Sequence, residues 1–321
     1  MSILSNRAKK NAKINKTAKI ADHNPGRKLF SSKFAAAVVW TITILWTIPT
    51  FGLFATSFRP KNDVFLSGWW HIFTNPHFTL SNYDAVLFGK GDAGNIGGVL
   101  PYFLNSLAIT IPAVVFPVVI ATMAAYSLAW IRFRGSDALF FGIFALQIVP
   151  IQMSLIPLLQ LFTGGAHLGH FTLIPRLGIA GKLAGIWLPH TMFALPLAIY
   201  LLHNFISSLP RDLMEAAYVD GANHFTVFRR IVLPLSIPAI AAFGIFQFLW
   251  VWNDLLVALT FSGGTQSISP INAKLASLVG QWGAHWEILT AGAFITIAVP
   301  LVVFFSLQRY FVRGLLAGSV K

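Results

Sequence analysis

Charged side chains concentrate in one stretch of an otherwise apolar neighbourhood, residues 215–234, with the sequence EAAYVDGANHFTVFRRIVLP. Its charged members are Glu215, Asp220, Arg229 and Arg230. A polar insertion this dense between apolar segments is either a solvated loop or a contact surface for another molecule. On these residues alone the two alternatives stay open.

A second polar group lies inside the fifth long apolar segment. Its members are Gln247, Trp250, Trp252, Asn253 and Asp254. Polar side chains within a membrane segment commonly line a substrate pathway. Indole faces next to amide and carboxylate groups suit a sugar, whose C–H faces stack on rings while its hydroxyls need donors and acceptors. Packing between helices or subunits is the equally weighted alternative, and for Asn105, Gln147 and Gln152 packing is favoured.

The motifs of catalysis are missing from the sequence. A nucleotide-binding P-loop needs GxxxxGK[ST]. Neither GK pair, at 89–90 and 181–182, is followed by Ser or Thr, and the first glycine is replaced by Asp84 and Arg176. The HxxH pair at 167–170 lacks a third ligand nearby. We therefore expect no catalytic residue, no metal site and no cofactor bound by this chain.

The composition excludes a soluble domain. Of the 321 residues, 56% are hydrophobic and 10% are charged, whereas soluble domains carry about 25% charged residues. Residues 1–33 hold nine Lys or Arg against Asp22 alone. A nucleic-acid-binding arm is conceivable, but a disordered cytoplasmic tail attracted to anionic lipid is the favoured interpretation. The sequence thus predicts a polytopic protein of the lipid bilayer, with no nucleic-acid partner.

Apolar runs long enough to cross a bilayer occur about six times. The predicted spans are residues 34–57, 99–130, 138–162, 183–206, 235–260 and 286–305. In the second span, Pro101, Pro112 and Pro117 are expected to bend or interrupt the helix. Residues 58–98 form a long loop between the first two spans.

Lys and Arg in the loops set the orientation, because they accumulate on the cytoplasmic side. With the N-terminus inside, 17 Lys or Arg are cytoplasmic and 6 are outside; without the tail the ratio is 8 to 6. Both termini and the loop 207–234 are therefore predicted to be cytoplasmic, and the loop 58–98 extracytoplasmic.

The loop 207–234 shows the signals of two short helices. Ser207 and Ser208 are N-cap residues, and Pro210 suits a first helical turn. Gly221 is placed to end the first helix in a left-handed turn, and a second helical piece runs from 223 to 232.

The order Glu215-Ala216-Ala217, three residues, Gly221, nine residues, Ile231, one residue, Leu233-Pro234 resembles the EAA loop. That loop marks the permease subunits of binding-protein-dependent ABC importers. Further matches resemble the carbohydrate branch and its maltose-type second permease subunit, and the resemblance runs from about residue 34 to the end. They are the segments 56–60, 105–107, 148–157, 252–254 and 308–321.

The resemblance implies an all-α type I importer permease core with a cytoplasmic coupling helix that docks on an ATPase. Glu215 would then accept hydrogen bonds from a basic group of the ATPase, Ala216 and Ala217 would permit close packing, and Gly221 would set the bend. Asp220 and Arg229 belong to the same candidate coupling surface.

The resemblance also implies the partners: a second homologous permease, two ATPase subunits that hold ATP and Mg, and an extracytoplasmic sugar-binding protein. The chain would be a non-catalytic subunit in a bacterial inner membrane, importing an oligosaccharide such as maltose, maltodextrin or trehalose. Two other classes compete with it, an ion-coupled secondary transporter working alone and an intramembrane enzyme. The first would need ionisable groups deep in its spans, and the second a catalytic constellation.

Overall fold

The computed structural model describes residues 33–90, 98–131, 133–281 and 285–317, and its regular structure is almost entirely helical. The helices are α1 (Lys33–Ser57), α2 (Lys61–Leu66), α3 (Ser81–Phe88), α4 (Leu100–Trp130), α5 (Ser136–Ala145), α6 (Ile151–Gly164), α7 (Leu183–Ser207), α8 (Arg211–Val219), α9 (His224–Val227), α10 (Leu233–Asn253), α11 (Leu256–Ser262), α12 (Ile271–Gln281) and α13 (Trp286–Ala317). Short 3₁₀ turns span Trp69–Phe73, Leu146–Ile148 and Gln266–Ile268, and a π-helical turn spans Phe228–Val232.

Parts of the predicted organisation lie outside the described residues. They are residues 1–32 of the basic tail, residues 91–97 of the loop 58–98, and residues 318–321 at the end of the C-terminal segment.

Within the described residues, five helices are long and apolar enough to cross a membrane, and the number is six if one bent pair counts as a crossing. The five are Lys33–Ser57, Leu100–Trp130, Leu183–Ser207, His224–Asn253 and Trp286–Gln308. The predicted class, an all-α polytopic membrane protein with about six spans, is confirmed.

The third predicted span is not one straight helix. The pair Ser136–Ile148 and Ile151–Gly164 bends by 103°. Pro150 follows Val149, which is extended with φ −72° and ψ 120°. A proline disfavours helical geometry in the residue before it, so the bend falls where the sequence places Val149-Pro150.

The second predicted span, by contrast, is continuous from Leu100 to Trp130, and Pro112 and Pro117 do not interrupt it. A proline has no N–H for the carbonyl four residues earlier. Both carbonyls deprived in this way receive a side-chain N–H from another helix. The pairs are Trp187 Nε1 to Ala108 O at 3.0 Å and Gln247 Nε2 to Ala113 O at 3.2 Å. These contacts replace the lost backbone bonds.

The chain divides into two compact units. In the described part, the first comprises residues 33–56 and 67–76. There the Trp69 ring lies edge-on to Phe51, with 5.8 Å between the centroids. A Cβ on Gly52 would come within 2.8 Å of the Trp69 indole, so glycine is what allows this approach.

The second unit comprises residues 57–66 and the described residues from 77 onward. Its centre is the packing of α4 against α7 and α10, and of α10 against α13. The contact between α4 and α7 is lined by small buried residues, among them Ala121, Ala125, Ala194 and Ala198. Small side chains let helix backbones approach closely, which is how helices associate in lipid.

A β-hairpin joins α6 to α7. Its strands, β1 (Ala166–Leu168) and β2 (Phe171–Ile174), are antiparallel, with His167 opposite Thr172. His167 Nδ1 lies 3.2 Å from Thr172 Oγ1, and its Nε2 lies 3.0 Å from the carbonyl oxygen of Gly164. One histidine of the HxxH pair therefore uses one ring nitrogen within the hairpin and the other at the end of α6.

Candidate functional site

The candidate coupling surface is built on α8, a short helix between α7 and α9. Met214 is its one fully buried side chain, and it packs in the core beside Ile206 and Val227. Ala217 is half-buried, whereas Glu215 and Ala216 are exposed. The helix therefore rests on the core along a narrow stripe and presents its two other motif residues outward.

Exposed apolar side chains accompany these polar residues. Val219 is 87% exposed, Phe225 is 69% exposed and Leu213 is 45% exposed. Asp220 and Arg229, the remaining charged candidates, are exposed as well. Apolar groups that stand among charges in this way are typical of a surface that another protein covers.

Gly221 forms the predicted left-handed turn, with φ +81°. Its N–H donates to Tyr218 O at 3.0 Å, and the Ala222 N–H donates to Ala217 O at 2.9 Å. These two bonds form a Schellman motif, which satisfies the last carbonyls of α8. A residue with a Cβ would have open space here but would cost about 1–2 kcal/mol in left-handed backbone.

The caps of the loop differ in part from the sequence prediction. Asn223 caps α9, because its side-chain oxygen accepts from the Thr226 N–H at 2.9 Å. Ser208 does not cap α8; its hydroxyl donates to Phe205 O at 2.7 Å and so completes the end of α7. Pro210, in extended geometry, precedes the first residue of α8.

The second candidate region is a break in the fifth span. The helix predicted for 235–260 ends at Asn253, and the chain is extended at Asp254, with ψ 138°. The Asp254 carboxylate accepts from the Val257 N–H at 3.3 Å and from the Ala258 N–H at 3.0 Å. A carboxylate that caps the next helix in this manner stabilises the break, because it satisfies N–H groups that begin α11.

His190, on α7, faces the same carboxylate, a pairing that no local sequence pattern indicates. Its Nε2 lies 3.6 Å from Asp254 Oδ2, and the two side chains are 1% and 11% exposed. The ring is also edge-on to Trp250, with 6.4 Å between centroids. Nδ1 of His190 has no hydrogen-bond partner in the described structure.

The five candidate path residues divide into two groups. Gln247 and Trp252 have almost no exposed surface in this conformation. Gln247 donates to Ala113 O, as described above, and Trp252 Nε1 donates to Thr296 O at 3.1 Å. Thr296 lies four residues before Pro300, so this is a third carbonyl that a proline deprives of its donor.

The remaining members are more accessible. Asn253 is exposed, and among the described residues its side-chain amide donates only to Leu249 O in its own helix, at 2.8 Å. Trp250 and Asp254 are half-buried. The assignment of the whole group to a substrate path stays a prediction.

A separate cavity lies at the bend of the third span, away from Asn253. Its volume is about 730 Å³, and it is lined by the bent pair and α7, including Gln147, Gln152 and Phe193. Both glutamines are exposed within this single chain, although packing was favoured for them. Asn105 does pack: its amide donates to Ser267 O at 2.8 Å and to Ser269 O at 3.1 Å.

A family model described as the binding-protein-dependent transport system inner membrane component matches residues 113–316. The match includes the loop 207–234 and the break in the fifth span. This chain belongs to that family. It is therefore a non-catalytic permease subunit of an ABC importer in the inner membrane, with ATP hydrolysed by a separate subunit. Because the chain belongs to this family, the two competing hypotheses, a lone ion-coupled transporter and an intramembrane enzyme, are set aside.

Two relatives show how far the likeness extends. The chain is 48% identical over 314 residues to the osmoprotective compounds uptake permease protein GgtD of Synechocystis sp., covering 96% of this chain and 98% of that protein. It is 54% identical over 249 residues to the alpha-glucoside transport system permease protein AglG of Rhizobium meliloti, covering 77% of this chain and 62% of that protein.

Among solved structures, the chain is similar to one from a bacterial ABC transporter that imports the acidic polysaccharide alginate. The TM-score is 0.67 at 20% identity, covering 90% of this chain and 99% of that chain. A structure of a bacterial alginate transporter with its periplasmic protein gives 0.60 at 17% identity, covering 88% and 95%. At these identities the likeness supports the importer permease fold alone.

Proposed function

We propose that this chain imports an oligosaccharide of the α-glucoside class, such as maltose, maltodextrin or trehalose, and that the loop 207–234 couples this import to an ATPase. It works with a second homologous permease, two ATPase subunits and an extracytoplasmic sugar-binding protein. ATP and Mg bind to the ATPase subunits, and this chain supplies half of the membrane path and one docking surface.

The observation that carries the coupling role is the exposure of α8. Glu215 and Ala216 stand free of the core beside exposed Leu213 and Val219, on a helix that Met214 anchors from the other side. An apolar contact around one carboxylate suits a cleft with a basic group at its centre. Hydrogen bonds to a charged group contribute about 1.5–3 kcal/mol, so loss of the Glu215 carboxylate should weaken docking by about 10- to 150-fold.

The α-glucoside assignment rests on the similarity to AglG, a permease protein of an alpha-glucoside transport system that is 54% identical over 249 residues, and on the side chains around the break in the fifth span. Trp250 offers a ring face, Asn253 an exposed amide and Asp254 a half-buried carboxylate. These three, rather than the enclosed Gln247 and Trp252, are the proposed contacts with sugar. The path then runs along the face of α10 that ends at Asn253.

The parity of the spans supports the orientation. Four crossings separate the N-terminus from the loop 207–234 if the bent pair crosses the membrane once. The N-terminus then lies on the side of the coupling surface, which must face an ATPase in the cytoplasm. The C-terminus follows two further spans and lies on that side too. The excess of Lys and Arg in residues 1–33 agrees with this placement.

The test is uptake by the reconstituted complex, offered a panel of sugars with the cognate binding protein. We expect α-glucosides to stimulate ATP hydrolysis and to accumulate, whereas stimulation by only non-glucosidic solutes would overturn the substrate assignment. Glu215→Ala and Glu215→Lys should lower uptake, and the matched control Asp212→Ala, an exposed acid in the first turn of the same helix, should not. Normal uptake with both Glu215 variants would overturn the coupling role.

A further inference from the structure

Three side chains form a hydrogen-bonded group, which we name the Tyr–His–Tyr cluster: Tyr126, Tyr218 and His224. They come from three elements, since Tyr126 is near the end of α4, Tyr218 is on α8 and His224 begins α9. His224 Nδ1 lies 2.9 Å from the Tyr218 hydroxyl and 3.1 Å from the Tyr126 hydroxyl. The Tyr126 hydroxyl also donates to the carbonyl oxygen of His224 at 3.2 Å.

The chemistry of these contacts is specific to one ring nitrogen. When the Tyr126 O–H donates to the His224 carbonyl, its oxygen remains free to accept from Nδ1–H. Alternatively, Nδ1 accepts the proton of Tyr218. Both arrangements use Nδ1, and Nε2 takes part in neither. The cluster therefore fixes the position of the Nδ1 edge of the imidazole ring.

The aromatic rings of the cluster also pack against each other and against Phe228. Tyr126 is 5% exposed, and its ring centroid lies 5.2 Å from that of Phe228 in the π-helical turn. The His224 ring is edge-on to Tyr218, with 5.4 Å between centroids. A second bond joins the same end of α4 to the end of α7, just before the loop 207–234, because Trp130 Nε1 donates to Ile206 O at 3.2 Å. The end of α4 is thus held to both sides of α8.

We propose that His224 is a positioning residue that transmits movement of the coupling helix α8 to the long helix α4. The inference rests on the proposed docking of the loop 207–234 on the ATPase. Any displacement of α8 pulls Tyr218, and through His224 it pulls Tyr126 in α4, which packs against α7 and α10 along the membrane. Without the cluster the ATPase still docks and hydrolyses ATP, but α4 follows its movement incompletely.

The experiment compares substitutions that keep or lose the Nδ1 position in the complete reconstituted importer. An Asn side chain places its amide close to where Nδ1 lies, whereas a Gln side chain extends toward the position of Nε2. We therefore measure sugar transported per ATP hydrolysed for His224→Asn, His224→Gln and Tyr126→Phe. Tyr200→Phe is the matched control, because Tyr200 stacks on Phe144 in α5 and lies outside the cluster.

We expect the ratio of sugar to ATP to fall for His224→Gln and Tyr126→Phe and to stay near the wild-type value for His224→Asn and Tyr200→Phe. Hydrogen bonds between helices in membranes contribute about 0.6 kcal/mol on average, which converts to about a threefold change. The ATPase should co-purify equally with every variant, which distinguishes transmission from docking.

Three results would overturn the proposal. The ratio could stay unchanged in His224→Gln and Tyr126→Phe, the Asn and Gln variants could behave alike, or the cluster variants could lose the ATPase. In each case Glu215→Lys serves as the reference. If Glu215→Lys still lowers uptake, only the proposed role of the cluster is overturned. If uptake stays normal in Glu215→Lys, the proposed docking of the loop is overturned as well.

Discussion

Replacing Asp254 by Ala should both destabilise the protein and lower uptake, whereas replacing its neighbour Asn253 by Ala should lower uptake alone. The difference follows from their contacts. Asp254 accepts two backbone N–H groups at the start of α11 and faces His190, while the amide of Asn253 bonds only within its own helix, on an exposed surface.

The magnitude can be worked from these contacts. Loss of a capping side chain costs about 1 kcal/mol, within a range of roughly 0.5–2. Loss of the carboxylate also removes the one acidic group 3.6 Å from buried His190, and a buried polar group left unsatisfied costs about 1–3 kcal/mol. We expect Asp254→Ala to cost roughly 2–4 kcal/mol. Asp254→Asn keeps one acceptor oxygen and should cost less, and Asn253→Ala should stay within about 0.5 kcal/mol.

The assay is thermal unfolding of the purified complex in detergent, measured beside sugar uptake in proteoliposomes. A double variant, His190→Leu with Asp254→Ala, tests the pairing, because residues that interact lose less together than the sum of their single losses. Equal stability of Asp254→Ala and Asn253→Ala would refute the capping argument. Strict additivity of the double variant would refute the contribution of His190.

Two further predictions concern the packed glutamine and the bent pair. Gln247→Met should leave uptake intact and change the free energy of unfolding by no more than about 1 kcal/mol. The substitution loses the bond to Ala113 O, but it also removes an Oε1 that has no partner in the described structure, and the two effects offset each other. Lost uptake with unchanged unfolding would instead put Gln247 on the sugar path. The chain contains no cysteine, so single cysteines can be placed at Ser136 and at His170. A membrane-impermeant thiol reagent should label these two positions from opposite faces of the membrane. Labelling of both from one face would show that the bent pair is re-entrant and would reverse the predicted side of the N-terminus.

Much of the fold could be predicted from local sequence. Long apolar runs with few charges indicated where the long helices lie, since a membrane helix needs about 20 such residues, although the helix predicted for 235–260 ends at Asn253. Gly221 was predicted in a left-handed turn, because glycine there ends a helix without steric cost, and the turn is confirmed. Both features depend on residues close together in the chain.

The breaks in the helices were harder to predict, since a proline has opposite outcomes in different places. Pro150 accompanies a bend of 103°, while Pro112 and Pro117 lie within an unbroken helix. At Pro112 and Pro117, a distant side-chain donor reaches each freed carbonyl. Trp187 and Gln247 are 79 and 134 residues from the carbonyls they satisfy, so no local pattern could reveal them.

The same contacts change how polar residues in the spans should be interpreted. The partners open to an amide or indole N–H inside a membrane segment include a substrate and a backbone carbonyl that a proline has deprived of its bond. Gln247 and Trp252 reach carbonyls of the second kind, at 3.2 and 3.1 Å, and are enclosed by the protein. Among the described residues, the Asn253 amide donates to Leu249 O of its own helix and stays exposed, so no bond to another helix explains its presence. Of the three, Asn253 is therefore the side chain for which contact with a sugar remains the stronger interpretation.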